Sequence, residues 1–387
     1  MSLFLLYQYS VLFFLGIILI IFISNNILFK NIARYSPPES FMKKPPLVSI
    51  MIPARNEAEN IKGCITSLLK QDYPNIEILV LDDSSDDDTS HIVKMIEKKD
   101  SRIKLITGKP LKKGWIGKSY ACHQLAKHAR GKYYLFTDAD TLHFKNVVSS
   151  AIGCLIKNNL DALSAIPKQI MVGIHERLVV TWVHFGILSL LPLILMKKSK
   201  YPLFCTANGQ LMLFKRDVYK KIGGHKSIKT KILEDIHISK QVKRHGYKFM
   251  IFDGSKNMYC RMYRNFRGLI KGFSKFMFAA FDFKVFNITV AISFISLLFL
   301  FPFIFLPLGI LFFDWPDLII NLIIIQVFIV LIMRIILALR LKNRILDTFF
   351  HPISMIYIIL LCINSVLQTK FGEGASWKDR SYDIRFR

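Results

Sequence analysis

The sequence predicts an α/β domain with a mainly parallel sheet, inserted between an amino-terminal transmembrane helix and carboxyl-terminal transmembrane helices. Three observations lead there. Long apolar blocks occupy both ends of the 387-residue chain. Between them, from residue 47 to about 253, short apolar runs alternate with stretches of helical periodicity, the pattern of β-α-β units. Asp82-Asp83 and Asp138-Ala139-Asp140 each follow such a run, at the strand ends where open α/β sheets bind ligands.

Composition sets the outer limits. The length suffices for one large soluble domain plus several membrane helices. Hydrophobic residues make up 52% of the chain and mean hydropathy is +0.36, too high for an ordinary soluble protein. A formal charge of +26 suits a surface lying against anionic headgroups. No nucleic-acid recognition motif accompanies that charge, so nucleic acid is not expected as a partner. Six cysteines lie scattered without a CxxC pair, which reads as reduced, buried thiols.

Each segment has its own reason. Residues 1–29 form the amino-terminal anchor, because 3–29 is almost continuously apolar and exceeds the roughly 20 residues that span a bilayer. A basic stretch before it and a small-residue cleavage site after it are both missing, which argues against a cleaved signal. Lys30, Arg34, Lys43 and Lys44 follow, so the positive-inside rule puts the next domain in the cytoplasm. Residues 30–46, with four prolines, read as a linker. The α/β domain runs over 47–284, with strands at 47–52, 76–81, 103–107 and 133–137 and helices at 58–71, 89–99 and 119–130. Within it, 178–196 is mostly apolar but carries Thr181, His184 and Pro192, and is expected to be an interfacial helix docking the domain on lipid. About three membrane helices occupy 285–369, from apolar blocks at 285–313, 318–339 and 349–368. Pro302 and Pro307 kink or break the first. Three plain crossings would leave the basic tail, 370–387, outside against its charge. Either the charge rule fails there or one block does not cross.

The candidate site residues come from five places. Pro53, Arg55 and Glu57 follow the first strand and open a helix, where they suit the polar edges of a nucleotide. Asp82 and Asp83 follow the second, placed for a ribose or base; the plain alternative is an Asx turn. Asp138 and Asp140 end the fourth strand. Alternate strand residues share a face, so both carboxylates are expected to meet one site as hard oxygen ligands for Mg2+ or Mn2+. Lys118, in Gly114-Trp115-Ile116-Gly117-Lys118, starts a helix beside a glycine-rich turn that suits phosphate. Glu234-Asp235 lies in a helical stretch, 231–245, and supplies a candidate base. Arg261 and Arg264 are three apart, so one helical turn would aim both at diphosphate oxygens. His123, His128, His184, His225 and His237 show no metal-ligand spacing and read as structural.

Together these residues resemble the membrane-bound, inverting family 2 glycosyltransferases with a GT-A domain, over about residues 47–270. The resemblance rests on Ile52-Pro53-Ala54-Arg55-Asn56-Glu57, Asp82-Asp83, Asp138-Ala139-Asp140, Glu234-Asp235 and the arginine pair. Residues 114–122 and Gly223-Gly224-His225-Lys226-Ser227 are similar to bacterial carotenoid-acid (4,4'-diaponeurosporenoate) and hopene-associated glycosyltransferases, as is the tail from Trp377 to Tyr382. The resemblance implies that Asp83 binds the nucleotide, Asp140 the metal and Lys118 the donor phosphates, with Asp235 as general base. It implies a hexose, expected to be glucose from UDP-glucose, moved to a lipid acceptor such as a carotenoid acid or hopanoid. The expected location is the cell membrane, multi-pass, with the catalytic domain cytoplasmic. Asn265 stands where the family's Gln/Arg-x-x-Arg-Trp motif has tryptophan, which argues against a processive polysaccharide synthase. The remaining alternative is a membrane transporter or lipid-binding protein carrying an inactive GT-A domain.

Overall fold

A computed structural model describes residues 3–263 and 265–372, together with the backbone of 375–377 and 380–382. The chain starts with one long helix, α1 (Leu3–Leu28), and a short one, α2 (Glu39–Met42), in the proline-rich linker. Next come β1 (Val48–Ala54), α3 (Ile61–Leu69), β2 (Ile76–Asp82), α4 (Thr89–Glu97), β3 (Ile103–Thr107), α5 (Gly117–His128) and β4 (Tyr133–Phe136). β1, β2 and β4 are buried at every position. Strands covered on both faces need continuous apolar runs rather than alternation. The covering helices are amphipathic: α3 buries Ile61, Cys64, Ile65 and Leu68, one stripe at helical spacing.

After β4 the order is β5 (Thr141–His143), α6 (Val147–Lys157), β6 (Ala162–Ile166), β7 (Lys168–Gln169), α7 (Ile174–Leu190) and α8 (Leu193–Lys198). β8 (Met212–Lys215), α9 (Arg216–Lys221), α10 (Glu234–Arg244), β9 (Phe249–Asp253) and β10 (Met258–Cys260) complete the domain core. The main sheet has seven strands in the order β3-β2-β1-β4-β8-β6-β9. Only β8 runs against its neighbours. Val48 faces Ile76 on one side and Tyr133 on the other, and Ala54 faces Asp82. That register brings the carboxyl ends of β1, β2 and β4 to one edge. The chain leaves β1 toward β2 and β3 and later returns to its other side as β4, so this edge is the crevice where such sheets bind ligands.

Residues 178–196 are not one helix. α7 ends at Leu190 and α8 begins at Leu193, with Pro192 between. Asn25 of α1 heals the break. Its side-chain amide donates to Leu188 O (2.9 Å) and Leu191 O (2.7 Å), and its oxygen accepts from Leu193 N–H (2.9 Å). Backbone groups freed by a break need such partners where water is excluded.

The carboxyl-terminal part comprises α11 (Phe266–Ala280), α12 (Val285–Ile295), α13 (Phe301–Leu311), α14 (Asp317–Leu341) and α15 (His351–Phe371). α12 and α13 form one continuous helix through a π turn at Ser296–Leu300, which lies just before Pro302. Proline removes a hydrogen bond and clashes with the preceding turn, and a π turn absorbs both. Leu3–Leu28, Val285–Leu311, Asp317–Leu341 and His351–Phe371 are long and apolar enough to cross a membrane. Their contacts distinguish the last. α14 ends at the domain, where the Arg340 guanidinium donates to Asn26 O and Phe29 O. α15 then lies along α7 and α11. Tyr357 meets His175 at 2.9 Å, Asn364 donates to Ser274 Oγ at 2.7 Å, and Ser365 Oγ accepts from Phe278 N–H at 2.9 Å. α15 thus packs along α7 and α11 while His351 at its start lies 3.2 Å from Phe299 O of the neighbouring membrane helix, so a course along the domain instead of a third plain crossing is the expectation to test. Cysteines placed at the exposed positions Lys62 and Phe371 should react with an impermeant thiol reagent from the same side of sealed vesicles. Labelling from opposite sides would mean that α15 crosses.

Candidate active site

A cavity of about 520 Å3 opens at the carboxyl ends of β1 and β4. Its polar end collects Pro53 of β1, Arg55 and Glu57 after it, Lys118 from α5, Asp138, Ala139 and Asp140 after β4, and Glu234 and Asp235 from α10. Residues spread over more than 180 positions thus meet because the parallel register aligns the strand ends.

β4 stops at Phe136, so Asp138 and Asp140 lie on a turn and not on alternating strand positions. Thr137 holds that turn, donating from its hydroxyl to Gln210 O at 2.8 Å. Burial, then the neighbouring Asp138 and Glu57, push the Asp140 carboxyl up to about 7, while Lys118 and a hydrogen bond from Cys260 oppose the rise. Crowded carboxylates of this kind gain from a bound cation. Asp138, Asp140 and Glu57 offer the hard oxygens that Mg2+ or Mn2+ prefers. Among the described residues no group of three His, Cys, Asp or Glu side chains surrounds one point.

Lys118 Nζ lies 2.7 Å from Asp138 Oδ1 and 2.7 Å from Glu234 Oε1. Burial works to lower its pKa, but the two carboxylates outweigh it and hold the ammonium well above its ordinary range. Glu234 and Asp235 occupy the first turn of α10, where the helix dipole favours acids. Asp235 accepts from Gly209 N–H (3.0 Å) and Ile236 N–H (2.8 Å). Burial and the adjacent Glu234 raise its carboxyl to about 7, against the pull of Lys118 and the Ile236 bond. Gly209 is required here by space. A Cβ at that position would sit 3.1 Å from Lys118 Nζ and 3.4 Å from Glu234 Oε1.

Other expected residues sit elsewhere. Asp82 makes the Asx turn, accepting from Ser85 N–H at 3.2 Å, and neither it nor Asp83 lines the cavity. Arg55 lines it, yet its guanidinium donates to Asp83 O (2.8 Å) and Ser84 O (2.6 Å), bracing the loop after β2. Arg261 lies in an extended stretch after β10, not in a helix, and pairs with Glu176 at 3.5 Å. The expectation of one helical turn aiming both arginines at diphosphate fails there, because the helix starts only at Phe266. Arg264 lies outside the described residues, as do the side chains of the tail motif. Asn265 caps α11, accepting from Gly268 N–H at 2.8 Å, a role tryptophan cannot fill.

The two similarity motifs meet each other. Ile116 N–H donates to Lys229 O at 2.8 Å. Gly223 and Gly224 both have positive φ, and a Cβ on Gly224 would strike the Tyr219 ring at 2.5 Å. His225 Nδ1 lies 2.8 Å from the Tyr219 hydroxyl, beneath β4, and burial pushes its pKa down to about 3. This second motif is a buttress.

The far end of the cavity is apolar. Val180, Val183 and Ile187 of α7 face Phe273, Phe276 and Met277 of α11 across it. Gly272 makes room for Tyr263, whose ring would lie 2.3 Å from a Cβ there. His184, Gln169 and Gln210 line it as well, and Gln169 donates to Gln210 at 3.0 Å. The histidine spacing gave no hint of His184. The Asn208-Gly209 turn signal before β8 was available in the sequence for the loop that carries Gly209 and Gln210.

Residues 49–223 match the family described as Glycosyl transferase family 2. The Escherichia coli UDP-Glc:alpha-D-GlcNAc-diphosphoundecaprenol beta-1,3-glucosyltransferase WfgD is 40% identical over 115 residues, 30% of this chain and 43% of that protein. The 4,4'-diaponeurosporenoate glycosyltransferase of Staphylococcus haemolyticus is 26% identical over 231 residues, 59% of this chain and 60% of that protein. The chain thus spans less than two thirds of the length of these curated relatives. Among solved structures, the mannosyltransferase PcManGT from Pyrobaculum calidifontis, in complex with GDP-Man and Mn2+, is alike in fold. Its TM-score is 0.51 at 16% identity, over 93% of this chain and 98% of that one. The α/β domain has the GT-A fold, and its residues 49–223 are similar to glycosyltransferase family 2.

Proposed function

We propose that this protein is an inverting, metal-dependent hexosyltransferase that moves glucose from UDP-glucose to a membrane lipid. The observation that carries the reading is the single cavity with carboxylates at one end and the apolar walls of α7 and α11 at the other. A water-soluble donor suits the first end and a lipid chain the second. The names of the relatives agree: one acts from UDP-Glc on a lipid-linked diphosphate, and the other on a carotenoid acid. The proposed setting is a cell membrane with the domain on the cytoplasmic side, a reading supported by Lys30, Arg34, Lys43 and Lys44 after the first apolar helix.

The chemistry is one displacement. The acceptor oxygen attacks the anomeric carbon, its proton passes to Asp235, and the bond to the diphosphate oxygen breaks as the nucleotide leaves. Asp235 is fixed for this by its two backbone N–H bonds. Asp138 and Asp140 would hold a divalent cation, which would neutralise charge on the departing diphosphate. Arg55 keeps the loop after β2 in place beside the nucleotide end. An acceptor carboxylate arrives already ionised and needs Asp235 only for orientation.

Incubation of the full-length protein in membranes with labelled UDP-glucose, followed by lipid mass spectrometry, tests the reading. A new hexosyl lipid is expected, and Asp235→Asn and Asp140→Ala should each lower its formation by at least about 100-fold. No product from several nucleotide sugars would favour an inactive, lipid-binding domain. The pH profile separates the acceptors. A base must be ionised to take a proton, and the raised Asp235 carboxyl is protonated below about 7. With a hydroxyl acceptor, kcat/KM should therefore fall about tenfold per pH unit below that point. With a carboxylate acceptor it should stay level through neutrality.

A further inference from the structure

We propose that Lys118 is the resident counter-cation of the donor site and gives up Asp138 when a divalent cation arrives. The inference rests on the metal-dependent reading above. Lys118 Nζ is equidistant, at 2.7 Å, from carboxylates of the turn after β4 and of α10. These belong to opposite sides of the reaction: Asp138 to the nucleotide and Glu234 to the base next to it. The Lys118 side chain is only 19% exposed and those of Asp138 and Glu234 26% and 13%, so solvent screens the contacts weakly. A divalent cation on Asp138 and a monovalent ammonium on the same oxygen repel each other. One of the two contacts must therefore open. Lys118 can keep Glu234 and turn its freed valence toward the incoming diphosphate, which lies on the same side of the cavity. Gly209 leaves it the room, having no side chain beside Nζ. Metal arrival and the charge beside Asp235 are then coupled through one side chain.

The test uses the full-length protein in detergent, titrated with Mn2+ alone and followed by electron paramagnetic resonance of the free ion. Lys118→Met should bind Mn2+ roughly tenfold more tightly than the wild type, within the usual range of site coupling. Lys118→Arg, which keeps the charge, should bind as the wild type does. Equal or weaker binding in Lys118→Met overturns this inference and leaves the sugar-transfer reading standing. Binding in none of the three proteins overturns the metal part of both. If Lys118→Met does not fold, the wild type decides. Acylation of the Lys118 amine, read by peptide mass spectrometry, should rise when Mn2+ is added. Unchanged acylation overturns the proposal.

Discussion

Carboxylates buried side by side repel, and in this protein one ammonium group lets them stay together. Lys118 joins α5, the turn after β4 and α10, three elements that no hydrogen-bonded strand pair holds at this point. The lysine occupies the second position of α5, where the helix dipole disfavours a cation. Two carboxylates at hydrogen-bond distance outweigh that penalty, which is at most about 1 kcal/mol at a helix terminus. Gly209 completes the arrangement by leaving space beside Nζ and lending its N–H to Asp235. Three features that look unrelated in the sequence therefore depend on one pair of short contacts.

The same geometry explains what could be read from the sequence and what could not. β1, β2 and β4 were legible because buried parallel strands are written as unbroken apolar runs, and Asp138 and Asp140 because acids after such a run are conspicuous, while Asp235 stood out as part of an acidic pair in a helical stretch. The reason offered for Asp138 and Asp140 was nonetheless wrong in its detail. The strand stops at Phe136, and a turn held by Thr137 brings the carboxylates to the cavity. Arg261 was misplaced because arginines three apart suit a helix equally well when the chain is extended. Glu176, its partner, is 85 positions away, and nothing local announces such a pair. β8 escaped notice because a four-residue antiparallel strand leaves little pattern, and the loop before it carries Gly209. The bridging role of Lys118 has no local signature at all.

The membrane part is an extension of the site as much as its support. α7 and α11 wall the apolar end of the cavity, and α15 lies against both. The proposed lipid acceptor would meet the side chains of these two helices. Arg177 of α7 pairs with Asp347 at 2.9 Å, tying the wall to the turn before α15. The cavity lining and the packing of this region thus share elements, and substitutions in one will be felt in the other.

Asn25 carries this furthest. It sits in the first helix, far from any reacting atom, yet three of its hydrogen bonds hold the break between α7 and α8. The anchor is therefore a structural subunit of the lipid-facing wall rather than a leash. Trimming the chain to its α/β core for the sake of solubility would strip Leu188 and Leu191 of their donor and Leu193 of its acceptor. What came out of such surgery would be a fragment whose cavity had lost the support of its α7 wall.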